Sequence, residues 1–289
     1  MKIILLIPIY NDRESLTKLI ENINFEAKDL NYEISVVVIN DASSQQIIDT
    51  YQNLENINSF EIINMKENRG HARCIASGLK YIFEKKEFDF VIPMDGDGED
   101  RPEEIKNFIH QAEQSDDKTI VGERTKRSES LFFKICYQLH KLLTLGFTGH
   151  SINFGNFTCL SKSTIEKMLN EKATWNSFSG SLKKVEKDLL SIPSIRGTRY
   201  FGPSKMSFFN LLKHSLSIIS VFRKIVLIRS AFFIVFYILL MQSNASIITS
   251  IPLVLLLIMI YSISNLALRE NLSELDSSLD NINNIDKIK

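Results

Sequence analysis

The sequence predicts an α/β domain built on a mostly parallel sheet, followed by a two-helix transmembrane hairpin. Three observations predict it. Strand-like apolar runs alternate with amphipathic helical patterns through the first 125 residues. Polar clusters fall at the ends of those strand runs. Two long stretches in the C-terminal third are almost free of charge.

The alternation runs in order. "KIILLIPIY" reads as a strand and "RESLTKLIENI" as a helix. "YEISVVVIND" is the second strand, and "SSQQIIDTYQNL" reads as a helix opened by Ser43-Ser44. "FEIINM" is the third strand. "GHARCIASGLKYIFEK" is a helix with Ile75, Leu79, Ile82 and Phe83 on one face. "FDFVIPMD" is the fourth strand, and "RPEEIKNFIHQAEQ" a helix with Pro102 near its first turn. "KTIVGER" is the fifth strand. Repeated strand–helix units give a parallel sheet covered on both faces. Ligands of such sheets sit at the carboxyl ends of the strands. The polar clusters fall there: Tyr10-Asn11-Asp12, Asn40-Asp41, Asp95-Gly96-Asp97 and Glu123-Arg124.

Residues 225–242 carry one charge, Arg229, and residues 245–268 carry none. Each can cross a hydrocarbon core of roughly 30 Å at about 1.5 Å per residue. Lys213, Arg223, Lys224 and Arg229 precede the pair and Arg269 follows it. The positive-inside rule then puts both ends in the cytoplasm and the short link outside. Arg229 is expected to snorkel to headgroups. Residues 270–289, rich in Asn, Asp and Ser, read as a mobile or weakly helical cytosolic tail. The expected units are a cytosolic domain over 1–210, a juxtamembrane and hairpin segment over 211–268, and the tail over 269–289. "SLFFKICYQLHKLLTLGF", residues 130–147, reads either as an amphipathic helix on the bilayer or as a core helix.

Lys plus Arg and Asp plus Glu both total 34, so the net charge is zero. That removes the simplest electrostatic case for nucleic-acid binding. Cys74, Cys136 and Cys159 are scattered without metal-ligand spacing, which fits a reducing compartment. The N-terminal apolar run is short and no cleavage site follows it, so it reads as a strand and not as a signal peptide.

The informative stretch is "FVIPMDGDGED", residues 90–100. A buried strand breaks into Asp95, Asp97, Glu99 and Asp100, with glycines between. Such crowding raises carboxyl pKa values unless a cation is near. Mg²⁺ and Mn²⁺ take oxygen ligands, commonly one or two carboxylates plus substrate phosphates. Asp95, Asp97 and Glu99 therefore form a candidate metal–diphosphate seat. The alternative is a solvated acidic turn before the next helix, where Glu103 and Glu104 suit the helix N-terminus. Asp100 fits that alternative better.

The set "IPIYNDRESL", "VVVINDASS", "NRGHARCIASGL", "VIPMDGDGEDRPEE" and "VGER" resembles family 2 glycosyltransferases with the GT-A fold. "RYFGPSKM", residues 199–206, resembles the Arg…Gly-x-Ser-Lys element of the polyprenyl- and dolichyl-phosphate sugar transferase branch. Two membrane helices after that element match bacterial members of the branch. The resemblance implies a cytosolic catalytic domain, a UDP- or GDP-linked sugar donor, a divalent metal and inversion at the anomeric carbon. Position by position, Pro8, Tyr10 and Asp12 match the first nucleotide-contacting loop. Asp41 matches the second Asp of an Asp-Asp pair that holds the nucleoside; Asn40 stands where the first is expected. Asp95 and Asp97 match the metal motif, and Asp97 the catalytic centre. Glu99 stands where the branch often has Gln. Arg124 matches the catalytic arginine of strand five. Arg199, Ser204 and Lys205 match the group that contacts the acceptor phosphate.

Two acceptors remain open at this level: a polyprenyl phosphate, or a hydroxyl of a lipid-linked or surface glycan. A hydroxyl needs a general base in reach. A phosphate monoester, with a second pKa near about 6, is already largely ionised. Glu166, Glu171, Glu186 and Asp188 all fit helix-surface spacing, which favours the phosphate. A catalytically dead membrane scaffold is the reading from another class, and the intact Asp-x-Asp argues against it. Trp175 and the Asn-Phe cluster at 153–157 are expected on the acceptor side. The expected partners are nucleotide sugar, polyprenyl phosphate and membrane lipid, with no nucleic acid; homo-oligomerisation stays open. The expected place is the inner membrane, multi-pass, with the catalytic domain and both termini cytoplasmic.

Overall fold

A computed structural model describes residues 1–45, 51, 53–115, 118–126, 131–203 and 207–289. Its sheet has eight strands in the order β7-β5-β6-β4-β1-β2-β3-β8. The strands are β1 (Lys2–Ile9), β2 (Glu33–Asn40), β3 (Ser59–Met65), β4 (Phe90–Pro93), β5 (Ile120–Lys126), β6 (Phe154–Ser161), β7 (Leu190–Ile195) and β8 (Ile282–Lys287). β1 pairs in parallel with β2 and β4, β2 with β3, and β5 with β7. β6 runs antiparallel between β4 and β5, and β8 antiparallel along β3. The expected mostly parallel α/β sheet is present.

Strand alternation builds two cores, one on each face. Ile3, Leu5 and Ile7 of β1 face α1 (Arg13–Ala27) and α3 (Ile105–Glu113), packing with Leu16, Ile20 and Phe108. Ile4 and Leu6 face α2 (His71–Lys85), α5 (Lys162–Leu169) and α6 (Phe178–Val185), packing with Leu79, Ile165 and Leu182. The helix expected over 43–54 falls largely on residues outside those described.

The apolar stretches form α8 (Arg223–Met241) and α9 (Ile247–Ala267), joined by a 3-10 turn at Gln242–Asn244. Both are long and apolar enough to cross a membrane, and both leave large side chains bare: Phe232 is 73% exposed and Ile247 87%. α9 opens on a capping box of Ser246 and Thr249 and runs through Pro252 unbroken. α4 (Leu131–Thr148) and α7 (Phe208–Ser220) meet the hairpin at its base, where Leu143, Phe147 and Leu216 pack with Ile219, Val226 and Ile263. Leu139, Leu142 and Leu145 on another face of α4 stay exposed. α4 thus packs on one side and shows an apolar face on the other.

Arg229 is exposed near the base of the hairpin, and its Nη1 donates to the carbonyls of Gly146 (2.9 Å) and Leu145 (3.3 Å). A cation at a helix C-terminus satisfies carbonyls that lack helical partners and complements the dipole. The tail, expected to be mobile or weakly helical, forms a short helix and a strand: α10 (Leu272–Asp276) and β8 dock on the α/β domain, β8 as an edge strand of the sheet.

Candidate active site

The carboxyl ends of β1, β2 and β4 gather the polar residues at one edge of the sheet. After β4 the chain makes a tight acidic turn, Asp95–Asp100. Asp100 is buried, and its Oδ2 accepts the Asp95 backbone N–H at 2.9 Å. Asp100 is therefore a brace inside the turn, which explains why it is not an exposed charge. Glu104 is a second brace: it accepts the Ser194 hydroxyl at 2.7 Å and the Ile195 N–H at 2.9 Å, fastening the end of β7.

A strap, residues 196–201, lies over this turn. The Gly197 N–H donates to the Glu99 carbonyl and the Tyr200 N–H to the Asp97 carbonyl. Arg196 pairs with Glu99. Arg199 pairs with Asp12 and, at 2.7 Å, with Asp97 Oδ2. The Tyr200 ring covers Gly98, whose φ is +88°; a Cβ there would lie 2.4 Å from the ring. The Tyr200 hydroxyl accepts from Asn22 Nδ2 at 2.8 Å, tying the strap to α1. The crowded carboxylates thus have positive partners, supplied from a segment a hundred residues away in the chain.

Asp95 has a different set of neighbours. Its Oδ1 lies 3.3 Å from His71 Nε2 and accepts from Asn156 Nδ2 at 3.4 Å. Asn156 also contacts His71 Nε2 at 2.7 Å. Arg124, on β5, lies across Gly155: a Cβ on that glycine would come 2.7 Å from Nη2. Burial alone would push the Asp95 carboxyl up. The charges of His71, Arg124 and Arg196 more than offset it and hold Asp95 below the ordinary range. Burial and the Asp95 charge push Asp97 up to about 6. Burial, again with Asp95, pushes Asp100 up to about 8.

Around Asp97, burial and the neighbouring Asp95 charge outweigh the cations Arg199 and Arg196. Among the described residues no three acidic, histidine or cysteine side chains converge on one point. Asp95 and Asp97 remain the candidate carboxylate ligands. Two is the donor number a hard divalent ion takes when substrate phosphates complete its shell. Oxygen donors and unrelieved negative charge fit such an ion. Glu99, the third candidate ligand, is paired with Arg196.

The other expected residues divide. Asp12, Arg124 and Arg199 join Asp95 and Asp97 in one cluster. Tyr10 stands 49% exposed at the mouth. Pro8 is buried in β1 and shapes the backbone. Asp41 is buried, and its two oxygens accept the N–H groups of Arg69 (2.9 Å) and Gly70 (2.8 Å). It holds the loop 68–70 from within. Asn40 donates to Asn64 Oδ1 at 2.7 Å and accepts the Ser43 N–H at 3.1 Å. Ser204 and Lys205 lie outside the described residues.

Trp175 corrects another expectation. It is fully buried, so its ring lines no exposed surface, and its Nε1 donates to Glu274 of the tail at 2.6 Å. Arg73 covers its ring at 5.1 Å. Asn156 and the strap arginine Arg196 are the site residues that sequence reasoning missed. Asn156 lay inside the Asn-Phe cluster but had no signal to separate it from its neighbours. Arg196 had only its nearness to Arg199.

The family model described as glycosyl transferase family 2 matches residues 4–178. The undecaprenyl-phosphate 4-deoxy-4-formamido-L-arabinose transferase of Proteus mirabilis is 28% identical over 223 residues, 73% of this chain and 64% of its own length. The protein of the same name from Photorhabdus laumondii is 30% identical over 227 residues, 73% and 65% respectively. The chain therefore spans a little under two thirds of these relatives. Among solved structures, mannosyl-3-phosphoglycerate synthase from Rubrobacter xylanophilus aligns with a TM-score of 0.53 at 11% identity, over 76% of this chain and 72% of that one. A mannosyltransferase from Pyrobaculum calidifontis, solved with GDP-Man and Mn²⁺, aligns with a TM-score of 0.51 at 12% identity, over 96% and 86%. Both show a shared GT-A-like fold. With the family match spanning more than half of the chain and the acidic turn at the mouth of its sheet, this chain belongs to glycosyl transferase family 2.

Proposed function

We propose that this glycosyltransferase moves a sugar from a UDP- or GDP-linked donor to a polyprenyl phosphate at the cytoplasmic face of the inner membrane, with inversion. The observation that carries the reading is the strap. It brings Arg196 and Arg199 onto the acidic turn and leads within a few residues into α7 and the apolar hairpin. Donor end and bilayer surface are thus joined by one short basic segment. The curated relatives, named for undecaprenyl phosphate, support the same acceptor.

The chemistry follows from the residues. Asp95 and Asp97 would hold Mg²⁺ or Mn²⁺, which when bound neutralises the donor diphosphate and its leaving charge. Tyr10 offers an exposed ring to the base. Arg199 presents a planar fork that suits a phosphate as well as it suits two carboxylates. An acceptor phosphate arriving from the membrane would compete for that fork, with Ser204 and Lys205 close by in sequence. An acceptor phosphate oxygen attacks the anomeric carbon from the face opposite the leaving group. The bond from that carbon to the nucleoside diphosphate breaks, and its electron pair leaves with the diphosphate. The acceptor is already ionised and needs no base. In keeping with this, Glu186 is tied to Lys167 and Glu171 to Lys184.

Both flanks of the hairpin carry cations, and β8 returns to the catalytic sheet. These features support a multi-pass anchor with the catalytic domain and both termini cytoplasmic. The test is to incubate purified protein with a panel of nucleotide sugars and undecaprenyl phosphate. A lipid-phosphate sugar, identified by mass spectrometry, is the expected product. Transfer to glycan hydroxyls with none to the lipid phosphate would overturn the acceptor.

A further inference from the structure

The tail reaches the donor end of the sheet through a chain of amides. Asp286 of β8 accepts from Asn64 Nδ2 at 2.6 Å. Asn64 Oδ1 accepts from Asn40 Nδ2 at 2.7 Å. Asn40 Oδ1 accepts the Ser43 N–H at 3.1 Å. Asn40 is buried, so its orientation is set by these partners and not by solvent. Beyond Ser43, Asn11 Oδ1 accepts from the Ser44 N–H at 2.9 Å, and the Asn11 N–H donates to Ser43 Oγ at 2.9 Å. The loops after β1 and β2 are therefore pinned to each other, and the relay pins both to the tail. A second hold lies one loop further on. The Lys66 N–H donates to the Asn281 carbonyl at 2.7 Å, and Asn281 Nδ2 donates to the Glu67 carbonyl at 3.1 Å. Residues 66–67 feed the loop that Asp41 grips at Arg69 and Gly70.

We propose that Asp286, acting through Asn64 and Asn40, is a positioning residue for the donor's nucleoside pocket, so that the segment after the hairpin helps to shape the donor site. The proposal rests on the reading that the ends of β1 and β2 hold a nucleotide. The direction of each bond is what makes the relay specific. Asn64 spends its N–H on Asp286 and therefore turns its carbonyl to Asn40. Asn40 must then donate to Asn64, which leaves its own carbonyl for Ser43. A carboxylate at position 286 can only accept, so it fixes the sense of every amide behind it. With Asp286 gone, Asn64 and Asn40 can flip, and an amide N–H would face the Ser43 N–H. An uncharged Asn40, where the family pattern has Asp, is the residue such a relay requires: a carboxylate there could not donate to Asn64.

The experiment compares full-length wild type with Asp286→Ala, Asp286→Asn, Asn64→Ala and Lys287→Ala. Dissociation constants for UDP and GDP, with Mn²⁺, are measured by calorimetry, and thermal midpoints on the same samples. Losing one net hydrogen bond of this kind corresponds to about three- to tenfold. Asp286→Ala and Asn64→Ala are expected to weaken the preferred nucleotide by that factor. Asp286→Asn keeps one acceptor but sets its NH2 against Asn284 Nδ2, which donates to Asp286 Oδ1 at 3.0 Å, so it is expected to weaken binding less than Asp286→Ala; Lys287→Ala, whose side chain is exposed on the same strand, is expected to bind within about twofold of wild type. KM for the polyprenyl phosphate should not move. Unchanged nucleotide binding in both Asp286→Ala and Asn64→Ala overturns the relay, and so does an equal loss in Lys287→Ala, which would mark a general weakening of β8. If wild type binds neither nucleotide, the donor reading itself falls and takes the relay with it. Asn64→Ala leaves the tail sequence intact and keeps the test decisive should Asp286→Ala fold poorly.

Discussion

Asp97 stands between two cations that cannot both be fully satisfied, the arginine that holds it and the ion its charge invites. Arg199→Ala removes the first. Mn²⁺ titration of that variant is expected to show tighter binding than wild type, with lower transfer to lipid; weaker binding would mean that Arg199 builds the seat and does not compete for it. Asp97→Asn removes an anionic ligand at a strand end outside the core. Turnover should fall about a hundredfold or more, with the melting temperature nearly kept, and near-normal turnover at saturating Mn²⁺ would refute the assignment. Asp100 carries a pH signature. Its carboxyl is raised from 3.8 to about 8, so the folded protein holds its proton more tightly than the unfolded chain does. The associated stability is full below the ordinary carboxylate range and is lost as pH rises through about 8. Asp100→Asn keeps an acceptor for the Asp95 N–H and does not titrate. In chelator-treated protein its melting temperature should gain on wild type between about pH 5 and pH 8; a constant difference would rule out the raised pKa.

The strap is the element whose fit depends most on a single position. Gly98 combines a left-handed backbone with a ring 2.4 Å from where a Cβ would sit. Gly98→Ala is expected to cost about 1–2 kcal/mol from backbone alone, and more from displacing Tyr200. Circular-dichroism melts and transfer assays should both register it, and an unaltered protein would show that the strap is loose in solution. The strand–helix frame was legible because periods of 2.0 and 3.6 are local and repeat. The acidic turn at the mouth of the sheet was legible because Asp-x-Asp after an apolar run is local too. The strap was not: Arg196 and Arg199 find their carboxylates 97 to 187 residues away in the chain, and no local pattern records that distance. β8 was not legible for a different reason. "INNIDK" is rich in Asn and Asp, which strands avoid, and only the open edge of β3 makes a strand of it. Trp175 was misplaced because a lone aromatic says nothing of its partner, and the partner is Glu274 in that same tail.

At the scale of the whole molecule the chain leaves the catalytic domain, runs through two apolar helices and comes back. A cysteine at Asn244, in a chain whose Cys136 is replaced by Ser, should react with an impermeant thiol reagent outside intact cells. One at Asn283, exposed on β8, should react only after lysis. Cys74 and Cys159 are buried and give little background. Labelling at Asn283 alone in intact cells would reverse the orientation. The return of β8 also has a meaning in time. The ribosome makes β3 first, then α8 and α9, and only afterwards β8, which covers the edge of β3 that β2 leaves open. Synthesis proceeds at about 5–20 residues per second and early segments fold as they emerge, so for many seconds β3 is an open edge of the kind that recruits wrong partners. The sheet closes only once both apolar helices have left the ribosome. Delivery to the membrane therefore comes before completion of the enzyme, and a copy that fails to insert its hairpin is left with the edge it cannot easily cover.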